Sequence, residues 1–201
     1  MQRLTIDPES HGYRLDGLPI ASVTAILKAA GLGGEYNAVP VEILEAAKVR
    51  GRTVHRFCEQ WDADHSTPIP EAYAPYALAY CRFRTQTQFE QIEAEQPVYH
   101  PTLHYAGTPD WVGFVNGERA IVDIKTTSVM DHVITAVQTA GYRGARTALL
   151  PAEPVERIYG LHLRDTGDYR FVEYDAEDAW QTFCAALTIF RFRRRHKKGK
   201  S

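Results

Sequence analysis

One α/β domain, with a central mixed β-sheet flanked by helices, is the architecture expected of this chain, and three features carry that expectation. Short β-rich runs alternate with longer amphipathic segments, and 201 residues is an ordinary length for one domain with a sound core. The clearest hairpin in the chain, at residues 107–126, is apolar on both faces, so its sheet must be covered on both sides. Hydrophobic content of 44% with 24% charged residues fits a globular protein in water.

Taken in order, residues 4–6 and 13–15 read as a small hairpin. Ser22 suits the N-cap of a short helix that runs through Ala29 and ends at Gly31. After a Gly-rich stretch at 31–37, Pro40 opens a long helix over 41–62, whose inward stripe holds Leu44, Ala47, Gly51, Val54, Cys58 and Trp61. A second helix covers 71–88 with Tyr73, Tyr76 and Tyr80 on one stripe, and aromatic residues at that spacing form core. Strands are expected at 92–100, 107–115 and 118–126. The run Ser128-Val-Met-Asp131 is a capping-box variant that launches a helix to Leu150, stopped by Pro151. Residues 157–163 and 169–173 form another hairpin, and a last helix starts at Ala176 and enters a basic tail. The domain proper is thus 1–190 and the tail 191–201.

The central hairpin fixes which side chains meet. Asn116-Gly117 suits a type I′ turn, so Val115 pairs with Glu118 and the ladder counts outward from there. That register sets Asp110 opposite Asp123, with Cβ atoms roughly 5 Å apart, and directly opposed like charges destabilise a sheet. Lys125, two residues beyond Asp123, points to the same face because side chains alternate along a strand. Both acids lie in hydrophobic strand sequence, where an unpaired carboxylate costs several kcal/mol. Two carboxylates and an ammonium therefore converge, an arrangement that suits a hard divalent cation and a phosphate ester attacked by water. A plain salt bridge between Lys125 and one aspartate is the rival account.

Composition excludes other classes. No 18-residue apolar run exists, so no membrane span is expected. The N-terminus lacks a basic flank before an apolar core, which makes cytoplasm the expected compartment. Three widely spaced cysteines, Cys58, Cys81 and Cys184, support neither a disulfide framework nor a zinc ribbon. Net charge is −2, yet residues 191–200 hold seven Lys/Arg and no acid, so a basic tail extends from an acidic body. Such tails contact phosphate backbones or simply solubilise a chain end.

At this point the residues resemble a known family. Pro109-Asp110 followed by Asp123-Ile124-Lys125 matches the pattern of the PD-(D/E)XK nuclease superfamily. The segment from Gly51 through His55 to Glu59 is similar to the G-x-x-x-H-x-x-x-E signature of its RecB-like and phage recombination exonuclease branch, and Gln138 to Tyr142 is similar to that branch's Q-x-x-x-Y. The matches fall in the expected order across nearly half the chain. The resemblance implies a restriction-endonuclease-like core and metal-assisted hydrolysis of DNA phosphodiesters, with Asp110, Asp123, Lys125 and Glu95 as catalytic residues. It implies Mg²⁺, with Mn²⁺ as a substitute, held by His55, Asp110, Asp123 and the Ile124 backbone carbonyl. Glu93 shares the face of Glu95 by alternation, so both are candidates for the extra acid. Gly51, His55 and Glu59 share a helix face at i, i+4 and i+8; Gly51 permits close approach to the sheet, and Glu59 either orients His55 or is solvated. Gln138 and Tyr142 are candidate DNA contacts through phosphate bonding and base stacking, and Arg143 and Arg146 are candidate backbone contacts. Gly141 and Gly144 inside that helix point to something packed closely against it.

Relatives with an iron–sulfur cluster need four cysteine ligands, so no cluster is expected from three. No G-x-x-x-x-G-K-[ST] motif is present, and any unwinding partner must be another polypeptide. The compact size is similar to phage-encoded exonucleases of recombination or DNA processing, which implies a bacterial cell, a phage or prophage gene, DNA as partner and a place for a recombination or single-strand-annealing protein. Oligomeric state is open. A structure-specific or site-specific endonuclease and a catalytically silent DNA-binding module on the same fold are the rivals. If the tail contacts phosphates, removing residues 191–200 should weaken DNA binding and flatten its salt dependence, read as log K against log salt. An unchanged slope would assign the tail to solubility.

Overall fold

The computed structural model of the chain describes residues 3–7, 12–33 and 40–197. Part of the Gly-rich stretch (34–39) and the last tail residues (198–201) lie outside them. The chain opens with a meander of β1 (Leu4–Ile6), β2 (Tyr13–Leu15) and β3 (Leu18–Ser22). β3 runs straight into α1 (Val23–Ala30), where the Ser22 hydroxyl accepts the Ala25 amide at 3.0 Å and Gly31 closes the helix with φ of 88°. Then come α2 (Val41–Ala63), a 3₁₀ turn at Glu71–Tyr73 and α3 (Ala74–Gln86).

The middle of the chain supplies β4 (Phe89–Ala94), β5 (Val98–His100), β6 (Tyr105–Gly107), β7 (Trp111–Val115) and β8 (Glu118–Lys125). After α4 (His132–Leu149), β9 (Arg157–Leu163) and β10 (Tyr169–Tyr174) lead into α5 (Ala176–Lys197). These strands make two five-stranded mixed sheets where one was expected, in the orders β1-β2-β3-β6-β5 and β10-β9-β8-β7-β4. The parallel pairs are β3 with β6 and β8 with β9. One α/β domain results, with helices on both sides and a core consistent with the restriction-endonuclease-like arrangement.

The second sheet is covered on both faces. Trp111, Val115, Val122 and Ile124 pack beneath Val54 and Phe57 of α2 and Tyr76, Tyr80 and Phe83 of α3. Val112 and Ile121 face the other way, into a core with Val137 and Tyr142 of α4, Phe183 of α5 and Ile26 of α1. The aromatic stripe of α3 is core as its spacing predicts, with the Tyr80 ring 5.3 Å from that of Trp111.

The hairpin register holds: Val115 pairs with Glu118 and Trp111 with Val122, and the turn residues Asn116 and Gly117 both have positive φ. The expected strands at 92–100 and 107–115 are each broken, however. β4 and β7 belong to one sheet, β5 and β6 to the other, and the antiparallel ribbon crosses between sheets at 95–97 and 108–110. Each crossing contains a proline, Pro97 or Pro109, which has no amide hydrogen to continue a ladder. The crossing segments stay joined because the Glu95 amide donates to the Asp110 carbonyl at 2.9 Å.

One other expectation is corrected. Asp131, not Ser128, caps α4, its carboxylate accepting the Ile134 amide at 2.9 Å. The last helix enters the basic segment as expected, with α5 continuing to Lys197 and Arg191 donating to the Leu103 carbonyl at 2.6 Å. Truncating it therefore also strips contacts with the body.

Gly141 and Gly144 let α5 approach α4: a Cβ on Gly141 would lie 2.7 Å from Phe183, and one on Gly144 only 2.1 Å from Trp180. Trp180 stacks on the His100 and Phe183 rings, with centroids 6.3 and 5.7 Å away, and would have to disturb those contacts to yield. Gly144→Ala should therefore destabilise the protein, because overpacking of about 1–3 kcal/mol exceeds the helix-propensity gain of about 1 kcal/mol. A lowered urea midpoint is expected; an unchanged or raised midpoint would show that Trp180 moves aside.

Candidate metal centre at the sheet crossing

Asp110 ends one crossing, immediately before β7. Besides receiving the Glu95 amide on its backbone carbonyl, it accepts the Ile124 amide on Oδ2 at 2.6 Å, which turns Oδ1 towards His55 Nδ1 at 3.5 Å. Glu95 has φ of 50°, a left-handed conformation rare outside glycine, and its carboxylate lies 3.7 Å from the same imidazole nitrogen. Ligand atoms of His55, Glu95 and Asp110 all lie within 4.8 Å of one another. Two carboxylates and an imidazole at this spacing could hold a divalent cation.

Asp123 is placed differently from the expected ligand set. It is 1% exposed, and the Lys125 ammonium lies 2.6 Å from its Oδ2, so it forms an ion pair outside the His55–Glu95–Asp110 trio. The expected Asp110–Asp123 pair is not formed in the ladder, which ends at Trp111 with Val122, and the two aspartates divide between two cations, His55 and Lys125. The strand alternation foresaw the Lys125 contact, but Asp110 leaves the ladder at the crossing and turns to α2.

The charges are strongly coupled. Burial pushes the Asp123 carboxyl up, Lys125 opposes this, and the charge of Asp110 adds to it, leaving a value of about 6. Burial also acts to raise Asp110, but the His55 charge, with Lys125 and the Ile124 amide, holds it below the usual range. For His55, burial disfavours the cation, yet Asp110 and Glu95 lift its pKa to about 10. In the absence of metal a proton on His55 thus occupies the place between the two carboxylates that a cation would take.

Gln138 and Tyr142 approach this centre from α4. Lys125 donates to the Gln138 carbonyl oxygen at 3.2 Å, and the Gln138 amide donates to the Tyr142 hydroxyl at 2.9 Å. The Q-x-x-x-Y pair therefore steadies the lysine. Tyr142 is only 5% exposed and its ring lies over Gly107, where a Cβ would come within 2.5 Å of it. No ring face is open to stack a base, which corrects the expected contact.

Arg146 is likewise not a surface contact. At 1% exposure its guanidinium meets Glu93 at 2.6 Å and Glu153 at 3.3 Å. This separates the two candidate acids: Glu93, inside β4, pairs with Arg146, whereas Glu95, beyond the strand end, turns to His55. Arg143 is half-buried with Nε donating to the Val155 carbonyl at 2.9 Å. Glu59 is exposed, and although it lies one turn from His55 on α2, the partners of that imidazole among the described residues are Glu95 and Asp110. Gly51 is not required for close approach, since a Cβ there would sit in ordinary contact with Thr126 at 3.9 Å.

Local sequence did not reveal two neighbours of the centre. The Tyr13 hydroxyl, from the first sheet, shares a 2.8 Å hydrogen bond with the Thr108 hydroxyl in the crossing. Its pKa is raised by burial and further by the charge of Glu95, although the bond to Thr108 works the other way. His162, opposite Lys125 in the β8–β9 register, donates from Nε2 to the Thr127 carbonyl at 2.7 Å. A lone histidine within the apolar run of β9 was the only available signal for it.

No protein-family model matches the chain, and no curated protein matches it. Among solved structures it is similar to a presumptive exonuclease from Eubacterium rectale, at a TM-score of 0.53 and 14% identity, over 92% of this chain and 76% of that one. It also aligns with an alkaline exonuclease from Laribacter hongkongensis at 16% identity, over 89% of this chain and 94% of that one, but the TM-score of 0.37 is too low to carry an argument. The first likeness shows a shared fold.

The His55 pairing has a pH signature. In the metal-free protein its pKa rises from 6.5 to about 10 on folding, so its contribution to stability is complete below 6.5 and is lost as pH climbs through 10. His55→Gln should flatten that alkaline loss in urea midpoints. Parallel loss in both proteins would show that His55 carries no stabilising charge.

Proposed function

We propose that the protein is a metal-dependent deoxyribonuclease that hydrolyses phosphodiester bonds, and that it acts as an exonuclease. The observation that carries this reading is the convergence of His55, Glu95 and Asp110 at the sheet crossing, beside the buried Asp123–Lys125 pair. The fold shared with the presumptive exonuclease of Eubacterium rectale supports it, as does the order of motifs from Gly51 to Tyr142.

His55, Glu95 and Asp110 would hold Mg²⁺, or Mn²⁺ in its place, with Asp123 and the Ile124 carbonyl as the adjoining oxygen donors. Such an ion polarises a phosphate and makes a bound water more acidic. The chain's own residues supply the rest. The Ile124 amide and the Glu95 amide fix the Asp110 carboxylate and carbonyl, so the ligand oxygen is oriented before substrate arrives. Asp123 and Gln138 hold the Lys125 ammonium on the same side, where it orients a water or offsets charge growing on phosphate oxygens. His55 would have to give up its proton to serve as a ligand, so cation binding should strengthen as pH rises.

The resemblance to phage recombination exonucleases extends the proposal to DNA processing or recombination in a bacterial cytoplasm, alongside a strand-annealing partner. Among the described residues no helix is long and apolar enough to cross a membrane.

Asp123→Ala or Lys125→Ala should reduce Mg²⁺-dependent degradation of linear DNA by roughly 10²-fold or more, with the folded circular dichroism spectrum retained. Undiminished turnover in either variant would overturn the assignment. A covalently closed circle should resist the unaltered protein; its cleavage would assign an endonuclease, and binding without cleavage of any substrate would assign a silent DNA-binding module.

A further inference from the structure

The C-terminal part of α5 forms a second feature, away from the acids. Four arginines, Arg191, Arg193, Arg194 and Arg195, fall within five positions, and two of them anchor the helix. Arg191 donates to the Leu103 carbonyl in the turn between β5 and β6, and Arg193 donates to the Ala29 carbonyl near the end of α1. Arg194 and Arg195 are exposed and form no ion pair or hydrogen bond among the described residues. In a chain with 25 acidic residues, two guanidinium groups that line one groove without a carboxylate partner among the described residues are available to an outside anion.

They do not stand on a convex surface. With Arg191, His104, Leu103 and Phe190 they line a groove of about 450 Å³, and no acidic residue lines it among those described. The floor is apolar and the rim cationic. Burial, with the nearby charges of His104 and Arg191, also lowers the pKa of neighbouring His100, which agrees with a positive local field. Guanidinium forks match phosphate oxygens, whereas an apolar aromatic floor matches the face of an unpaired base. A duplex keeps its base faces stacked and cannot offer one to Phe190. β6 links the groove to the sheet crossing: His104 precedes the strand and Thr108 follows it, so the two sites lie on the order of 10–15 Å apart along the strand.

We infer that this groove is a binding site for single-stranded DNA, which places phosphates at Arg194 and Arg195 and a base against Phe190 and Leu103. The choice of DNA as the polyanion rests on the nuclease reading above; the groove and its charge do not. A strand held here, separated from the crossing by roughly the length of β6, would keep one strand of a substrate near the acids.

The test uses the full-length protein and a fluorescein-labelled oligothymidylate in EDTA, where binding is measured by anisotropy without cleavage. Arg194→Gln/Arg195→Gln should weaken binding at least tenfold and lower the slope of log K against log salt by about 1.4, the value for two phosphates on a single strand. Phe190→Leu should weaken single-strand binding with the slope unchanged, and urea midpoints confirm that both variants remain folded. Undiminished binding in the arginine variant would overturn the inference. So would an equal loss on duplex DNA of the same length, which would indicate a general electrostatic contact, or a loss confined to phosphatidylglycerol vesicles, which would indicate a membrane surface. A protein that binds through the groove but cuts nothing with Mg²⁺ would refute the nuclease reading alone; one that cuts while the variant binds normally would refute the groove alone.

Discussion

A single backbone hydrogen bond, from the Glu95 amide to the Asp110 carbonyl, sits where an antiparallel ribbon passes from one sheet to the other. Pro97 and Pro109 prevent the ladder from continuing through the crossing, and this bond keeps its two sides in register while the flanking strands diverge. Strands that switch sheets make corners in a fold, and here the corner releases two carboxylates from strict alternation. Glu95 takes a left-handed backbone and Asp110 swings towards α2, so both acids reach His55. Had either strand run straight, alternation would have sent the Glu95 side chain to the face of Glu93, where Arg146 already lies.

The charges assembled around that corner offset one another in pairs. Asp110 and Asp123 interact unfavourably, and each has a cation of its own, His55 for one and Lys125 for the other. Gln138 and Tyr142 continue the second pair into α4, so the lysine is held from two elements. Burial of so many coupled groups is costly when any one is removed, because its partner is left uncompensated. The sheet, α2 and α4 therefore act together on the site. α5 in turn fixes α4 through Phe183 and Trp180, packed where Gly141 and Gly144 leave room.

Much of the fold was legible in the amino acids. Asn116-Gly117 set the hairpin register, alternation put Lys125 beside Asp123, Ser22 and Gly31 bounded α1, and the aromatic stripe of α3 turned out to be core. Roles that depend on distant neighbours were less legible. Arg146 looked like a solvent-facing cation on a helix, yet Glu93 and Glu153 bury it. Tyr142 looked like a stacking platform, yet Gly107 receives its ring. Tyr13 carried no local mark of its place beside Thr108, 95 residues away.

That division has a physical cause. Turn type, side-chain alternation and helix capping depend on residues within a few positions of one another, so the sequence by itself determined the hairpin, the pairing of Asp123 with Lys125 and the bounds of most helices. Which carboxylates share His55 depends on where two sheets diverge and how α2 lies across the gap. Those relations come from packing between segments far apart in the chain, and only the tertiary structure could separate Glu95 from Glu93 and give Asp110 and Asp123 different partners.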